Sequence, residues 1–442
     1  MLEPIRRKLF WSMDSLKGGR LKAHYDDIAF VLANLESTTS INRRLQCLNQ
    51  VLQHAVDSTP YYKNLANFKG LEDFEVIDKN VIREHYEDFK SSLYKNRNNY
   101  CAFTSGSTGT PFKLMHDRNK RIRNSADVIY FAKQAGYEIG QKLYYIRLWD
   151  KYNRPNPWIA RMKNIYMHSV SKLSRSDLAT LLRNMSKDTS NKGIICYASV
   201  LDELKKHIEK EAIKPIIKNV NSIIAISEPL KLDAKESMEE YFGVPVVSRY
   251  SNVENGILAQ QLLNSTVFQI NWASYYIEIL NLETNTPAKP GELGRIVITD
   301  LYNYCMPMIR YDTGDVGQFA ITEKNGVKHT ALKKIEGRKM EMIYDTNGEM
   351  KSPFIVYHLM KYPHILQYQF IQEDRTKYRV KLNVLPEFIH AKEIVAELKK
   401  HLGSNAIISL EYVDDIPLLS SGKRKFVINE YKQNTAFEEM PD

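Results

Sequence analysis

The sequence predicts an α/β protein in two parts, a large N-terminal domain with a parallel sheet and a small α+β C-terminal domain. Three observations predict this class. Short β-branched runs alternate with amphipathic segments from residue 143 to 247, a pattern typical of parallel sheet. Beyond Val267 the helical pattern disappears and Pro/Gly turns join apolar runs, which indicates an antiparallel β subdomain. A new α+β pattern begins near Met340, so we expect domains at 1–338 and 339–442.

The predicted elements follow in chain order. The first hundred residues favour helices, with breaks at Pro60 and near Gly70. Apolar periodicity in the large domain predicts the helices Leu201–Glu211 and Leu232–Phe242 and the strands Leu143–Leu148, Ile194–Ala198, Ile223–Ile226, Val244–Val247, Tyr276–Leu282, Arg295–Thr299 and Val316–Ile321. The same criteria in the small domain predict the helix Ala391–Leu402 and the strands Gln367–Gln372, Tyr378–Val384 and Ile407–Val413.

Composition is that of a folded chain. The 442 residues are 43% hydrophobic and 26% charged, which argues against disorder. The four cysteines share no short spacing, which excludes a Cys-x-x-Cys zinc or redox site, argues against a disulfide scaffold and predicts a cytoplasmic setting: Cys47, Cys101, Cys196 and Cys305. No apolar run approaches the length of a membrane-spanning helix.

The segment Thr104-Ser-Gly-Ser-Thr-Gly-Thr-Pro-Phe-Lys113 carries the strongest chemical signal. It places five hydroxyl residues and two glycines in ten positions. Glycines let backbone N–H groups approach an anion, and hydroxyls donate further hydrogen bonds to phosphate oxygens. The segment does not fit the Walker A pattern. A phosphate loop and a polar surface turn both remain open from these residues alone.

Four more segments follow it along the chain: Tyr250-Ser-Asn-Val-Glu254, Tyr311-Asp-Thr-Gly-Asp315, Gly337-Arg338 and Pro417-Leu-Leu-Ser-Ser-Gly-Lys423. Together with the hydroxyl-rich segment, they resemble, in the same order, the signature motifs of the adenylate-forming superfamily of acyl-CoA synthetases, luciferases and peptide-synthetase adenylation domains. Further segments resemble the phenylacetate-CoA ligase-like branch and its CapK-type members, which are associated with capsular polysaccharide biosynthesis: Thr59–Lys63, Leu71–Lys79, Met306–Tyr311 and Gln367–Gln372.

The resemblance implies a role for each motif. The phosphates would bind the loop residues Thr104, Ser105, Gly106, Ser107, Thr108 and Gly109. Adenine would lie near Tyr250 and a shelf formed by Ser227, Glu228 and Pro229, where family members often have Gly in place of Ser227. Asp315 would bind the ribose hydroxyls and Glu254 would hold Mg²⁺; the alternative, which the oxygen preference of Mg²⁺ disfavours, is that Glu254 caps a helix or pairs with a basic side chain. Arg338 would belong to the nucleotide site, Lys423 would be the catalytic lysine, and Lys113 would either touch phosphate or face solvent.

The resemblance also implies an activity. The expected reaction is ATP-dependent activation of a small carboxylic acid to an acyl-adenylate, with release of pyrophosphate, followed by acyl transfer to CoA. Transfer to an amine or hydroxyl of a sugar or carrier is the alternative, and a catalytically inactive nucleotide-binding scaffold is a third. ATP, Mg²⁺ and CoA are the implied cofactors. A hinge at Lys339–Met340 would let the small domain present Lys423, or the loop Tyr344–Pro353, to the site.

Positive charge is concentrated in two places, within a formal net charge of +10. Arg6, Arg7 and Lys8 precede an apolar run, so the N-terminus is either an amphipathic helix on the anionic inner face of a membrane or a helix packed on its own domain. A second stretch is either an anion-attracting patch or a solvated face: Arg118, Lys120, Arg121, Arg123, Arg147, Lys151, Arg154, Arg161 and Lys163. Nucleic acid, phosphorylated small molecules and a negatively charged acyl acceptor are the anions that such a patch could attract, and of these we expect no nucleic acid.

Overall fold

The structure is a computed structural model. It describes residues 2–104, 112–147, 149, 154–170, 175–210, 215–282, 284–289, 291–324, 326–336, 343–348, 350–351, 356, 359, 362–417 and 427–431. These residues fall into two compact units, the first ending at Glu336 and the second beginning at Ile343. The domain boundary at 338/339 and the hinge at Lys339–Met340 lie outside the described residues, so both stay predictions.

The chain begins with helices, as predicted. They are α1 (Leu2–Leu16), α2 (Arg20–Ala33), α3 (Thr38–Ser58) and α4 (Lys79–Glu84), with 3₁₀ turns at Pro60–Leu65, Leu71–Asp73 and Ser92–Tyr94. Ser37 starts α3 because its hydroxyl accepts a hydrogen bond from the Ser40 N–H, 3.2 Å away. The apolar face of α3 packs in one cluster with residues 301–311, which lead into the Tyr311–Asp315 motif.

The first unit is built around one large mixed sheet. In the described residues it has eleven strands in the order β10-β11-β12-β13-β9-β8-β7-β6-β5-β3-β4. The strands from β3 to β7 pair in parallel and the remaining pairs are antiparallel. Their bounds are β3 (Lys142–Arg147), β4 (Ile165–Ser169), β5 (Lys192–Tyr197), β6 (Val220–Ile226), β7 (Val246–Asn252), β8 (Gly256–Gln261), β9 (Phe268–Ile270), β10 (Tyr275–Leu280), β11 (Leu293–Asp300), β12 (Tyr311–Lys324) and β13 (Val327–Glu336).

The α/β class is therefore confirmed, with one difference of organisation. The predicted β subdomain continues the parallel sheet, because β8 and β9, which the apolar runs did not reveal, connect β7 to β13. A separate antiparallel hairpin precedes the sheet and is formed by β1 (Tyr100–Thr104) and β2 (Phe112–His116). The remaining helices of this unit are α5 (Arg118–Gln134), α6 (Pro157–Met162), α7 (Arg175–Lys187), α8 (Ala198–Lys210) and α9 (Leu232–Phe242).

The basic stretch that begins at Arg118 does not form one surface, because helix α5 buries two of its cations. Its Lys120 and Arg123 are completely buried, together with Ala126, Asp127 and Tyr130 on the same helix face. Lys120 lies 2.6 Å from Asp300, and Arg123 lies 2.6 Å from Asp27. These two cations are internal ion pairs, whereas Arg118, Arg121, Arg154, Arg161 and Lys163 are at the surface.

The second unit contains a four-stranded sheet in the order β18-β17-β16-β19, with helix α10 packed on β18. The helix buries Ile394, Leu398 and Leu402 at a spacing of four residues, which places them on one face. The elements are β14 (Ile343–Tyr344), β15 (Met350–Lys351), β16 (Ile365–Gln372), β17 (Lys377–Val384), α10 (Ala391–Leu402), β18 (Ile407–Tyr412) and β19 (Val427–Asn429). β14 and β15 form a hairpin at the start of the predicted loop Tyr344–Pro353. Between them, Gly348 has a positive φ of 86°.

Two further expectations can be compared with the described residues. The four cysteines are free thiols, of which Cys101 is exposed and the others are buried. Among the described helices, none combines the length and apolarity required to cross a bilayer.

Candidate functional site

The large sheet changes from parallel to antiparallel pairing at β7, and several of the predicted nucleotide-binding residues lie there. β6 and β7 run in parallel, with Ile226 opposite Arg249, while β7 and β8 are antiparallel. Ser227 directly follows β6, so it lies next to Tyr250 near the end of β7. Ligands of open α/β sheets bind at the carboxyl ends of strands where the strand order switches.

Tyr250 and Asp315 are in direct contact, although 65 positions separate them in the chain. The Tyr250 hydroxyl donates to Asp315 Oδ2 over 2.6 Å, and both side chains are buried. A short hydrogen bond to a carboxylate orients it strongly. Two motifs that the resemblance assigns to one nucleoside therefore meet in the fold.

A β-bulge places Asp315. The register between β11 and β12 shifts between Arg295 and Val297, and Gly314 has a positive φ of 74°, which favours glycine. The Thr313 hydroxyl donates to the Ile296 carbonyl over 2.9 Å and accepts from the Asp315 N–H over 3.1 Å. The sequence interpretation began this strand at Val316; instead, Asp315 lies inside β12.

Glu254 lies in the turn between β7 and β8, with its side chain 3% exposed. Its carboxylate is 2.6 Å from the Lys79 ammonium, and Oε1 accepts from the Tyr311 hydroxyl over 3.4 Å. The structure thus gives Glu254 a basic partner, which was one of the alternatives left open. A carboxylate that holds a cation here has the ligand chemistry that Mg²⁺ prefers, since Mg²⁺ in phosphate sites uses one or two carboxylates plus phosphate oxygens and water.

Lys79 reaches Glu254 because the chain before α4 is tied to the start of β12. The Ile77 N–H donates to the Arg310 carbonyl over 3.1 Å, and the Asp312 N–H donates to the Ile77 carbonyl over 2.8 Å. Asp78 then caps α4, whose first residue is Lys79. The Lys79 ammonium also lies 5.1 Å from the centre of the Phe112 ring on β2. The sequence interpretation assigned no chemistry to Lys79, and its place in the Leu71–Lys79 segment was the one signal available.

His116 anchors the Glu254 turn from the other side. Its Nε2 donates to the Glu254 carbonyl oxygen over 2.7 Å, since a carbonyl can only accept. Burial, reinforced by the Lys120 charge, lowers the pKa of His116 below its ordinary value. The ring is therefore a neutral donor at neutral pH, and this turn position does not depend on a charged histidine.

The Ser227-Glu228-Pro229 segment has a definite structural role. Ser227 has a left-handed φ of 72°, which turns the chain after β6. Glu228 Oε2 accepts a hydrogen bond from the Ser199 N–H over 3.0 Å, at the first turn of α8. A carboxylate is favourable at a helix N-terminus. The contact fixes Glu228, and the adenine-shelf role of the segment stays a prediction.

The remaining predicted residues are only partly reached by the structure. Thr104 ends β1 opposite Phe112, at the base of the hairpin that carries the candidate phosphate loop. Lys113 is exposed, with its ammonium 5.7 Å from the Tyr86 ring, which agrees with the solvent-facing alternative and leaves phosphate contact untested. Outside the described residues lie Ser105, Gly106, Ser107, Thr108, Gly109, Arg338 and Lys423.

Comparisons with known proteins show which families the chain resembles. Residues 343–430 match the family described as the CapK C-terminal domain. Protein CapK of Staphylococcus aureus is 21% identical over 376 residues, which cover 80% of this chain and 79% of that protein. Phenylacetate-coenzyme A ligase of Pseudomonas putida is 22% identical over 340 residues, covering 72% and 76%.

Among solved structures, 2-hydroxyisobutyryl-CoA ligase in complex with 2-HIB-AMP and CoA, in the thioesterification state, is similar with a TM-score of 0.57. The match has 19% sequence identity and covers 90% of this chain and 91% of that one. The resemblance to adenylate-forming ligases of the phenylacetate-CoA ligase and CapK type is thereby confirmed, and the fold is that of such ligases.

Proposed function

We propose that this chain is an adenylate-forming ligase, which activates a carboxylic acid with ATP and passes the acyl group to CoA. In the first step a carboxylate oxygen of the acid attacks the α-phosphorus of ATP, and pyrophosphate leaves. In the second step the thiol of CoA displaces AMP from the acyl-adenylate. The similarity to phenylacetate-CoA ligase and to a CoA ligase of the same fold supports this order of events.

The observation that carries the proposal is the contact between Tyr250 and Asp315. An ionised carboxylate accepts hydrogen bonds only, so Asp315 is suited to the two vicinal hydroxyls of a ribose. The Tyr250 hydroxyl holds Oδ2 in place, which leaves the carboxylate oriented before the nucleotide binds. The Tyr250 ring would then lie beside the base.

The triphosphate end requires positive charge, because the acid and ATP are both anionic. Glu254 would hold Mg²⁺, which when bound supplies divalent charge between the acid and the phosphates. Lys79, 2.6 Å from Glu254, is a second source of positive charge at the same place. Thr104, the loop 105–109 and Lys423 complete the proposed set, with Lys423 bridging the incoming carboxylate and the α-phosphate. A preorganised donor of this kind is commonly worth about 10²–10³ in rate.

A panel of carboxylic acids with ATP, read by pyrophosphate release, tests the proposal. Release should depend on one or more acids and should disappear in Lys423→Ala, while ATP binding persists in that variant. Pyrophosphate release at the wild-type rate in Lys423→Ala would contradict the assignment of the catalytic lysine. No acid-dependent release from any acid would favour the inactive nucleotide-binding scaffold.

The acceptor has a second candidate. The matches to CapK and to the CapK C-terminal domain favour an amine or hydroxyl on a sugar or carrier, in surface polysaccharide biosynthesis. Hydroxylamine trapping measures the adenylate whatever the acceptor, whereas thioester detection requires CoA. If hydroxamate is trapped but no thioester is detected, the acceptor is a sugar or carrier and not CoA.

Peripheral membrane contact is proposed from helix α1. Part of its inward side is polar: Arg7 pairs with Glu138 at 2.5 Å, and Arg6 donates to the Gly140 carbonyl over 3.4 Å. An apolar stripe, at a spacing of three or four residues, is instead exposed: Leu2, Ile5, Leu9, Met13 and Leu16. The exposed Lys8 and Lys17 lie on the same helix and at its end, so the charge favours an anionic lipid surface.

Co-sedimentation with vesicles tests this contact. The chain should bind vesicles of phosphatidylcholine with 30% phosphatidylglycerol (roughly the charge density for which basic amphipathic helices are selective) and bind pure phosphatidylcholine weakly. The variant Ile5→Ser/Leu9→Ser should lose binding, while Leu232→Ser, at an equally exposed leucine on α9, should retain it. Equal binding by both variants, or a lipid-free dimer that only the first variant dissociates, would overturn the proposal.

A further inference from the structure

Helix α6 (Pro157–Met162) exposes three large apolar side chains on one face. Trp158 is 76% exposed, Ile159 is 47% exposed and Met162 is 72% exposed. Residues three and four positions apart are neighbours on a helix surface, so Met162 lies next to both of the others. Ala160 of the same helix is buried. A single exposed apolar residue is ordinary, but an adjacent group that includes a tryptophan marks an interaction surface.

Both ends of α6 are fixed by contacts within the chain. The Asn156 side chain accepts a hydrogen bond from the Trp158 N–H over 2.9 Å, and Pro157 occupies the first turn. After the helix, Asn164 has a left-handed φ of 57°, and its side chain donates to the Gly140 carbonyl over 3.1 Å. These contacts set the position of the helix and leave its apolar face outward.

The chain around α6 is basic. Arg154, Arg161 and Lys163 are exposed on the helix and beside it. From residue 151 to 176 the sequence has no Asp or Glu and has six basic residues: Lys151, Arg154, Arg161, Lys163, Lys172 and Arg175. Positive charge beside an exposed apolar face favours an anionic lipid surface, where cations contact the phosphates and apolar side chains enter the boundary of the acyl chains. Tryptophan prefers this interface because its ring is apolar and its N–H is polar.

Helix α1, for which membrane contact is proposed above, adjoins α6. The Gly140 carbonyl accepts from Asn164, two residues beyond α6, and from Arg6 of α1, over 3.1 and 3.4 Å. The end of α6 and the N-terminal half of α1 therefore meet at one turn of the first unit. A bilayer is broad enough to contact two adjacent helices, whereas a small acid or nucleotide is not.

We propose that α6 is a second membrane-contact element, which inserts Trp158, Ile159 and Met162 into the interface of an anionic lipid bilayer. The inference rests on the proposed function for the lipid surface that α1 contacts, and it adds an element with residues of its own. Arg161 and Lys163 lie beside the inserted side chains and contact the lipid phosphates.

Tryptophan fluorescence measures the insertion directly. The phosphatidylglycerol vesicles described above are prepared with lipids brominated on their acyl chains, which quench a nearby indole. Trp158→Phe keeps an aromatic ring at this position and retains the other three tryptophans: Trp11, Trp149 and Trp272. Quenching should therefore be greater for the wild type than for Trp158→Phe. Equal fractional quenching of the two proteins would overturn the insertion of α6.

Co-sedimentation measures the contribution of α6 to affinity. Trp158→Ser/Met162→Ser should bind the anionic vesicles about tenfold or more weakly, because two inserted apolar side chains are lost. The matched control is Leu232→Ser/Ile321→Ser, which changes side chains 67% and 66% exposed on α9 and β12 and should bind like the wild type. Thermal unfolding of each variant verifies that it is folded. Unchanged affinity in the α6 variant would overturn the inference.

Comparison with the α1 variant separates the two membrane contacts. If Ile5→Ser/Leu9→Ser loses binding and the α6 variant does not, the α1 contact stands and the α6 inference is overturned. If only the α6 variant loses binding, α6 is supported and the α1 contact is overturned. A wild type that binds no anionic vesicles overturns both. A lipid-free dimer, detected by light scattering, that only the α6 variant dissociates would assign this face to a second copy and overturn the inference. Pyrophosphate release tests the ligase separately from all these outcomes.

Discussion

Two of the places where the first unit buries arginine or lysine treat the charge differently. Along α5, Lys120 lies 2.6 Å from Asp300, and Arg123 bonds Asp27, the Ser274 hydroxyl and the Ala273 carbonyl. On β7, Arg249 has one neutral acceptor at Nε and no hydrogen-bond partner at Nη2. The first region gives each cation a carboxylate of the chain, whereas the hydrogen bond of Arg249 is to a neutral amide.

The difference lies in the partners that each buried cation has. A buried ion pair need not contribute to stability as a whole. Removing one member of the pair is destabilising, because the other charge is then buried without a counterion. Asp127 in the α5 region has several donors: its pKa is raised by burial, yet Asn271 and Ser274 both donate to it, at 2.9 and 2.8 Å. Burial alone is thus no guide to function; the list of partners is.

The largest effect is expected in the paired region. Lys120→Met leaves the Asp300 carboxylate buried without its cation, which should lower the free energy of unfolding by about 3–5 kcal/mol. Chemical denaturation measures this loss. The double variant Lys120→Met/Asp300→Leu removes both charges and should recover most of it. If the single variant were as stable as the wild type, the pair would not be the buried interaction described above.

The nucleotide site should respond in binding more than in folding. Asp315→Ala removes the acceptor for two ribose hydroxyls, each hydrogen bond to a charged group being worth about 1.5–3 kcal/mol. The affinity for ATP, measured by calorimetry, should fall by the free energy of these hydrogen bonds. The affinity for the acid should change little. Tyr250→Phe, which keeps the ring and removes the donor, should give a smaller loss. Unchanged ATP affinity in Asp315→Ala would exclude the ribose assignment.

His116 connects the α5 region with the Glu254 turn, because it bonds the Glu254 carbonyl and its pKa is lowered by burial and by Lys120. Below pH about 6.5 the histidine of the unfolded chain binds a proton, whereas the native ring does not. The free energy of unfolding should therefore decrease as the pH is lowered from about 6.5 to the native pKa. One such group contributes at most about 1.4 kcal/mol per pH unit. His116→Gln should reduce the slope of the unfolding free energy against pH in this window; an identical slope would show that the histidine titrates normally.

The smallest effect should come from the unpaired arginine. Arg249→Met strands the Gln260 oxygen, at about 1–3 kcal/mol, but it also removes a buried charge without a counterion, and these effects oppose each other. We expect the free energy of unfolding to change by less than about 1 kcal/mol. A loss as large as that of Lys120→Met would place Arg249 with the structural cations and weaken the comparison.

The elements that could be predicted from sequence are those with strong local periodicity. α9 and α10 have the predicted bounds, because an apolar stripe at helical spacing depends on neighbours three and four positions away. β7 and β12 were predicted too short at the ends that carry the site. Those ends are polar, Tyr250-Ser-Asn252 and Tyr311–Asp315, so a search for apolar runs could not include them.

The site could be predicted only where a motif is local. Glu254 and Asp315 were selected as candidates through their motifs, and the contact between Asp315 and Tyr250 joins two of these motifs. Lys79 was missed because its approach to Glu254 depends on the pairing of residue 77 with 310 and 312. The cations of α5 were misread as a surface because their partners, Asp27 and Asp300, lie far away in the chain.

The pairing of residue 77 with residues 310 and 312 has a consequence for the order in which the protein folds during synthesis. Arg310 also donates to the Phe74 carbonyl over 3.0 Å, a contact that spans 236 positions. Closing a loop of that length costs about 5 kcal/mol of chain entropy. During synthesis, Lys79 emerges long before Arg310, so its helix has no permanent anchor until most of the first unit has left the ribosome. The last step in assembling the Glu254 carboxylate with its lysine is therefore late in translation, and a nascent chain that stops before Tyr311 cannot contain a formed site.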